Sequence, residues 1–279
     1  MNTQGTETIT DPPPDPRGHF GLTGLPFTRE ISATKMWRHP GLDELVRDLS
    51  GIISARDSAA VIAPSGAGKT ALIRRLIDTL PESRYRIADI KITAVGNRDL
   101  YRSIARSFGI EASGTWPHLV ESLQAHAKAL ATTEARRTVL IVDEAQDMRP
   151  SVLSTLRVLT NFKLDSELLI SLILVGDTGL DSLLHRQDME ALRSRLACIV
   201  RLRLLSREEC KSYIRHRLEI SGAREEILDQ SAMEAIYDYT RGNIRAIDIL
   251  CRTALYIAAF KRIHTIDAGI VTIPRKKLP

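Results

Sequence analysis

Apolar positions along the chain alternate between two kinds of segment. Short, mainly apolar segments predict strands: SAAVIA (58–63), YRIADIKI (85–92), TVLIVDEA (138–145), LLISLILVG (168–176) and ACIVRLRLL (197–205), the last with alternation in its second half. Between them, apolar residues recur at spacings of three and four. That spacing predicts helices over 42–53, 69–80, 98–110, 118–130 and 151–162, the last with Pro150 as its start signal. Continuous strands alternating with helices imply a parallel sheet covered on both faces. After the fifth strand the pattern is helical throughout, over 206–220, 231–240 and 243–261. The predicted fold class is therefore α/β, a parallel sheet flanked by helices and followed by a small all-helical domain. The expected boundaries are a disordered arm over 1–18, the α/β domain over 19–205, a helical lid over 206–269 and a basic tail over 270–279.

Composition narrows this only slightly. A content of 43% hydrophobic and 26% charged residues suits a globular protein. Cys198, Cys210 and Cys251 match no metal or disulfide spacing, which suits a reducing cytoplasm. No apolar run approaches the roughly 20 residues of a membrane helix, and the polar, proline-rich start is unlike a signal peptide. The net charge of +5 permits nucleic-acid binding without requiring it.

Candidate chemistry begins at Pro64-Ser65-Gly66-Ala67-Gly68-Lys69-Thr70-Ala71. This stretch follows a strand and opens a helix, the setting of a phosphate-binding loop. Its glycines let backbone N–H groups approach phosphate oxygens. Lys69 is expected at the β- and γ-phosphates and Thr70 on Mg²⁺. Ala63 stands where the usual motif has its first glycine. A small side chain at a strand end is compatible with the same loop.

Asp143 and Glu144 end an apolar strand. Asp143 is expected to hold Mg²⁺, directly or through water, and Glu144 to act as the base that polarises attacking water. A paired Asp-Glu suits hydrolysis better than transfer to a small-molecule hydroxyl. At the end of the next strand, Asp177, or secondarily Thr178, would lie beside the γ-phosphate; Asp177 is also placed as a helix N-cap. Arg193 and Arg195 precede the fifth strand and are candidates for an arginine finger supplied to a neighbouring subunit. Asn243 is placed as an N-cap, which puts Arg245 in a first helical turn. A cation is unfavourable there, and that cost suggests an anionic partner such as a nucleotide phosphate.

Taken in order, these motifs resemble a AAA+ ATPase over roughly residues 20–265. The resemblance implies ATP and Mg²⁺ as cofactors. It places Asp177 in the sensor-1 region, Arg193 or Arg195 at the arginine finger and Arg245 at sensor 2. An Asp in the sensor-1 region departs from the more usual Asn, Thr or Gln. FGLTGLPFTREI (20–31) and IVDEAQDM (141–148) are similar to the ExeA-type group. That group includes membrane-anchored secretion ATPases and short soluble forms resembling the target-selecting helper ATPases of bacterial transposons. The layout is closer to the second kind. The resemblance then implies a cytoplasmic homo-oligomer, a ring or a filament with about six subunits per turn. Its partners would be duplex DNA, a transposase and a target selector.

Arg98 and Arg102, spaced i, i+4, share a helical face. Relatives of the resembled group place DNA-backbone contacts in this region, so the resemblance implies that role for Arg98 and Arg102, with Thr115 in the following loop; Lys91 and Arg275-Lys276-Lys277 are weaker candidates. Such contacts position a protein without reading sequence. Trp37 and Trp116 read as packing residues. Phe20, Pro26 and Phe27 read as packing residues with partial adenine contact.

Overall fold

The computed structural model describes residues 15–28, 31, 35–38, 40–91, 96–160 and 168–272. They divide into two compact units: Arg38–Arg203, and a second that joins Met1–Trp37 to Leu204–Pro279. The first helix, α1 (Pro16–Phe20), is part of the second unit.

The first unit is α/β. In chain order it contains α2 (Pro40–Ser54), β1 (Ser58–Ile62), α3 (Lys69–Thr79), β2 (Tyr85–Lys91), α4 (Asn97–Phe108), α5 (Trp116–Thr133) and β3 (Arg137–Asp143). Next come α6 (Pro150–Leu153), β4 (Ile170–Gly176), α7 (Thr178–Leu184), α8 (Glu190–Arg193) and β5 (Leu196–Arg201). The strands form one sheet in the order β2-β3-β4-β1-β5, all pairs parallel. Every residue of β1 and β4 is buried, as a sheet covered on both faces requires. One face is covered by Leu100, Tyr101 and Ile104 of α4 with Leu119 and Leu123 of α5. The other is covered by Leu49 and Ile53 of α2 with Leu72 and Leu76 of α3.

The segment after β3 departs from its expected helix. Only Pro150–Leu153 is α-helical, and Ser154–Thr160 is 3₁₀. The Ser154, Thr155 and Thr160 hydroxyls donate to carbonyls three residues back, at 3.1, 2.7 and 2.9 Å. Such local bonds compete with the α-helical ladder and favour the tighter turn. Residues 161 and 162, also expected in this helix, lie outside the described residues.

The second unit is helical, with α9 (Arg207–Glu219), α10 (Gln230–Thr240), α11 (Ile244–Phe260) and α12 (Ala268–Thr272). Each long helix begins on a side-chain cap. Ser206 and Glu209 form a reciprocal capping box, Asp229 accepts from the Ala232 N–H, and Asn243 accepts from the Ala246 N–H. Three expected boundaries shift. Residues 16–18, expected in a disordered arm, form α1, with Asp15 as N-cap and Pro16 opening the first turn. Residues 20–27, expected with the sheet, pack instead among the helices: Leu22 and Phe27 share a core with Cys210, Ile214 and Leu255. The expected tail begins inside α12, whose Ile270 and Val271 are buried in that core.

Arg217 explains why the N-terminal segment sits there. It is 6% exposed and donates to the Tyr213 hydroxyl, the Thr28 carbonyl and Asp248 at 2.7, 2.7 and 3.4 Å. Its guanidinium lies 5.6 Å from the ring centroids of both Phe27 and Tyr213. Arg252 donates to the Phe27 carbonyl. Burial pushes the Asp248 carboxyl upward, and Arg217 opposes that shift.

Gly242 closes the same unit. Its φ is +80°, and its carbonyl accepts from the Leu205 N–H at 3.1 Å. A Cβ would lie 2.0 Å from the Leu205 carbonyl oxygen. Gly242→Ala is therefore expected to destabilise the helical unit by at least about 2 kcal/mol, from left-handed strain plus overlap with backbone. Thermal unfolding followed by circular dichroism checks this; an unchanged midpoint would contradict it.

Candidate nucleotide site

Three neighbouring strands end together on one edge of the sheet. Ile62 of β1 pairs with Gly176 of β4, Val142 of β3 pairs with Leu174, and the Ala63 N–H donates to the Gly176 carbonyl at 3.0 Å. The loop after β1, the acids after β3 and the turn after β4 are thereby neighbours. The carboxyl ends of parallel strands are where α/β sheets bind ligands.

The 64–68 loop has a phosphate-cradling conformation. Gly66 and Gly68 have φ of +79° and +101°, values open to glycine at little cost. The Ala67 N–H closes a turn onto the Pro64 carbonyl at 3.1 Å. Gly68 caps α3 without a side-chain acceptor, so the helix N-terminus offers backbone N–H groups to an anion. Lys69 is 9% exposed, and its Nζ donates to the Ala63 carbonyl at 3.2 Å. Ala63 lies outside the left-handed region, so its Cβ carries no backbone strain. Ser65 and Thr70 are exposed, and Ala71 is partly exposed.

Asp143 ends β3, and its Oδ1 accepts from the Glu144 N–H at 2.9 Å. Glu144 has a left-handed backbone, φ 52° and ψ 41°, which is costly for a residue with a Cβ. Its Oε2 accepts from Gln146 Nε2 at 2.7 Å, and its Oε1 lies 4.0 Å from Lys91 Nζ. The same Gln146 accepts, through Oε1, from the Asp177 N–H at 3.2 Å. Asp177 caps α7, with Oδ1 accepting from the Gly179 N–H at 2.7 Å. Burial, and then the neighbouring Asp143 charge, raise the Asp89 carboxyl above its ordinary range. The sequence does not mark Gln146 as a site residue. Its bond to residue 177 crosses from one strand end to another and leaves no periodic signal.

A hydroxyl (Thr70) and a carboxylate (Asp143) are hard oxygen donors. Among the described residues no cluster of three His, Cys, Asp or Glu side chains forms a metal cage. That combination fits Mg²⁺, which is usually held by one or two protein oxygens together with substrate phosphates.

The other expected residues belong to other elements. Arg193 ends α8, and Arg195 immediately precedes β5, whose Leu196 pairs with Ser58 at the start of β1. They stand at the opposite edge of the sheet from the 64–71 loop. Arg195 lines a surface cleft of about 260 Å³ with Arg157, Val158, Ala191 and Ser194. Arg98, in the first turn of α4, donates through Nε to the Gly114 carbonyl at 3.2 Å. That bond draws it to the loop carrying Thr115, the exposed N-cap of α5. Arg102 is half-buried, one turn further along α4. Lys91, a weaker DNA candidate, lies beside Glu144. Residues 275–277 fall outside the described residues. Arg245 occupies the first turn of α11 in the helical unit, two residues after the Asn243 cap. Trp37 and Trp116 pack edge-on against Tyr213 and Tyr101, and Phe27 is fully buried.

The sheet order, the loop at the end of β1 and the acids at the end of β3 define a AAA+ P-loop NTPase fold. In agreement, residues 52–184 match the AAA domain family. Over 258 residues the chain is 29% identical to General secretion pathway protein A of Aeromonas hydrophila. The match covers 91% of this chain and 47% of that protein, so the chain spans about half the length of this curated relative. The fold is similar to the Aeropyrum pernix ORC2 protein in its ADPNP–ADP complexes, with TM-score 0.66 and 18% identity over 88% of this chain and 69% of that one. It is also similar to Drosophila ORC bound to DNA, with TM-score 0.62 and 18% identity over 97% and 69% of the two chains. Among the described residues no helix is long and apolar enough to cross a membrane.

Proposed function

We propose that this chain is a Mg²⁺-dependent ATPase that assembles on duplex DNA, recruits or activates a transposase and disassembles on hydrolysis. The observation that carries the ATPase part is the convergence of Lys69, Asp143, Glu144 and Asp177 on three adjacent strand ends. The loop amides and Lys69 bind the phosphates. Thr70 and Asp143 would hold Mg²⁺, which when bound would neutralise charge on the phosphate oxygens. Glu144 would accept a proton from the attacking water, and Asp177 or Thr178 would lie beside the γ-phosphate. The ADPNP–ADP complexes of the Aeropyrum pernix protein support a nucleotide in this fold.

Subunit coupling has its own support. Arg193 and Arg195 stand at the sheet edge opposite the 64–71 loop. An arginine there can reach a nucleotide only in another subunit, so we assign one of the two as a finger acting in trans. DNA binding is assigned to Arg98, which bonds the Gly114 carbonyl beside Thr115, to Thr115 itself and to Arg102 one turn further along α4. The similarity of the fold to Drosophila ORC bound to DNA supports DNA as a partner.

A second reading is an ATPase of the secretion-associated kind, acting through protein contacts. The observation favouring it is the 29% identity to General secretion pathway protein A. Duplex affinity measured against salt separates the two. Backbone binding through Arg98 and Arg102 gives a log–log slope of about −0.9 per neutralised phosphate. Arg98→Ala is expected to weaken binding to all sequences alike and to reduce the slope by about one. Absence of salt-dependent duplex binding would favour the protein-partner reading.

A further inference from the structure

Gln146 sits in the 3₁₀ turn Ala145–Asp147, directly after the two acids, and joins two strand ends. Its Nε2 donates to Glu144 Oε2 at 2.7 Å, and its Oε1 accepts from the Asp177 N–H at 3.2 Å. The two partners fix the amide orientation. A flipped amide would set NH₂ against an N–H and a carbonyl against a carboxylate. The end of β4 leaves room for this side chain. A Cβ on Gly176 would lie 2.7 Å from Gln146 Oε1, and one on Gly179 would lie 3.5 Å from Gln146 Cβ. Gly176 thus flanks the amide without a side chain that would displace it, while Gly179 lies at ordinary contact distance from the Gln146 stem.

Glu144 needs such a guide. Its backbone is left-handed, and Lys91 Nζ lies 4.0 Å from its other oxygen. Without the amide, the carboxylate is free to swing toward that ammonium and away from a water in the site. Asp177 is meanwhile the residue on which β4 turns into α7 and the cap of that helix. Movement of this turn is therefore transmitted through one side chain to the carboxylate.

We propose that Gln146 is a positioning residue for ATP hydrolysis, holding the Glu144 carboxylate in register with the β4–α7 turn so that the base is aligned when that turn is in place. This rests on the reading of Glu144 as the base. The test compares full-length wild-type protein with Gln146→Met and Gln146→Glu, reading kcat, KM and the affinity for a fluorescent ATP analogue. Met keeps the volume and loses both hydrogen bonds. Glu keeps an acceptor for the Asp177 N–H but loses the donor to Glu144. Both variants are expected to lose kcat by about tenfold or more, since misalignment of a reacting group is costly. Analogue affinity and KM should stay within about twofold, as for an interaction made only in the transition state. Wild-type kcat in either variant would overturn the proposal. So would a loss of affinity that tracks the loss of kcat, which would mark a general collapse of the site. Glu144→Gln distinguishes the two levels: normal turnover in that variant overturns the base reading itself, whereas a dead Glu144→Gln beside an active Gln146→Met overturns only the role of Gln146.

Discussion

Glu144→Gln is expected to lower steady-state ATP turnover by about 10²–10⁴-fold, the usual contribution of a positioned general base. The substitution is nearly isosteric, and it leaves Lys69 and the Asp143 carboxylate in place. Nucleotide binding is therefore expected to stay near wild type, because an amide of the same length loses the proton-accepting charge and little else. Phosphate release at saturating Mg-ATP, set against equilibrium binding of an ATP analogue, reads both halves. Turnover at the wild-type rate would remove Glu144 from the chemistry. The same variant should also remain in its ATP-bound form, and any assembly that ATP promotes should outlive the wild-type one.

Lys69→Ala is expected to act at the preceding step, weakening ATP binding by about 3 kcal/mol, roughly a hundredfold or more. That is the scale of losing one or two hydrogen bonds from a charged donor to a charged acceptor. The residue is 9% exposed, and its ammonium is held by the Ala63 carbonyl at the mouth of the loop. Its removal takes away the one side-chain cation of the 64–71 loop, while Gly66 and Gly68 keep their conformation. Isothermal titration with ATP and Mg²⁺ measures the loss. The contrast between the two variants is informative. Lys69→Ala should bind ATP about a hundredfold more weakly, whereas Glu144→Gln should bind and stall.

The sheet and the loop were legible in the sequence because their signals are local. Mainly apolar segments between amphipathic ones mark the five strands, although β5 ends at Arg201 rather than at 205, and the loop glycines stand in the required order between a strand and a helix. The Asp177 and Asn243 caps were legible for the same reason. The N-terminal boundary was misread on composition. Asp15 followed by Pro16 is itself a helix-start signal and outweighs the polar, proline-rich surroundings. The placement of residues 20–27 could not be read, since it depends on Arg217 meeting Thr28 and Phe27 from a helix far along the chain. Gln146 was hidden for a related reason. Its donor bond is to the adjacent turn, but its acceptor bond is to residue 177. A polar residue two positions after a catalytic candidate carries no pattern until the strand order is known.

The proposed function requires that the nucleotide state of the site control assembly. The most direct test is the particle mass of Glu144→Gln protein, measured with and without Mg-ATP on duplex DNA. Multimers on the duplex that require ATP and persist are predicted; monomers under every nucleotide condition would contradict the account.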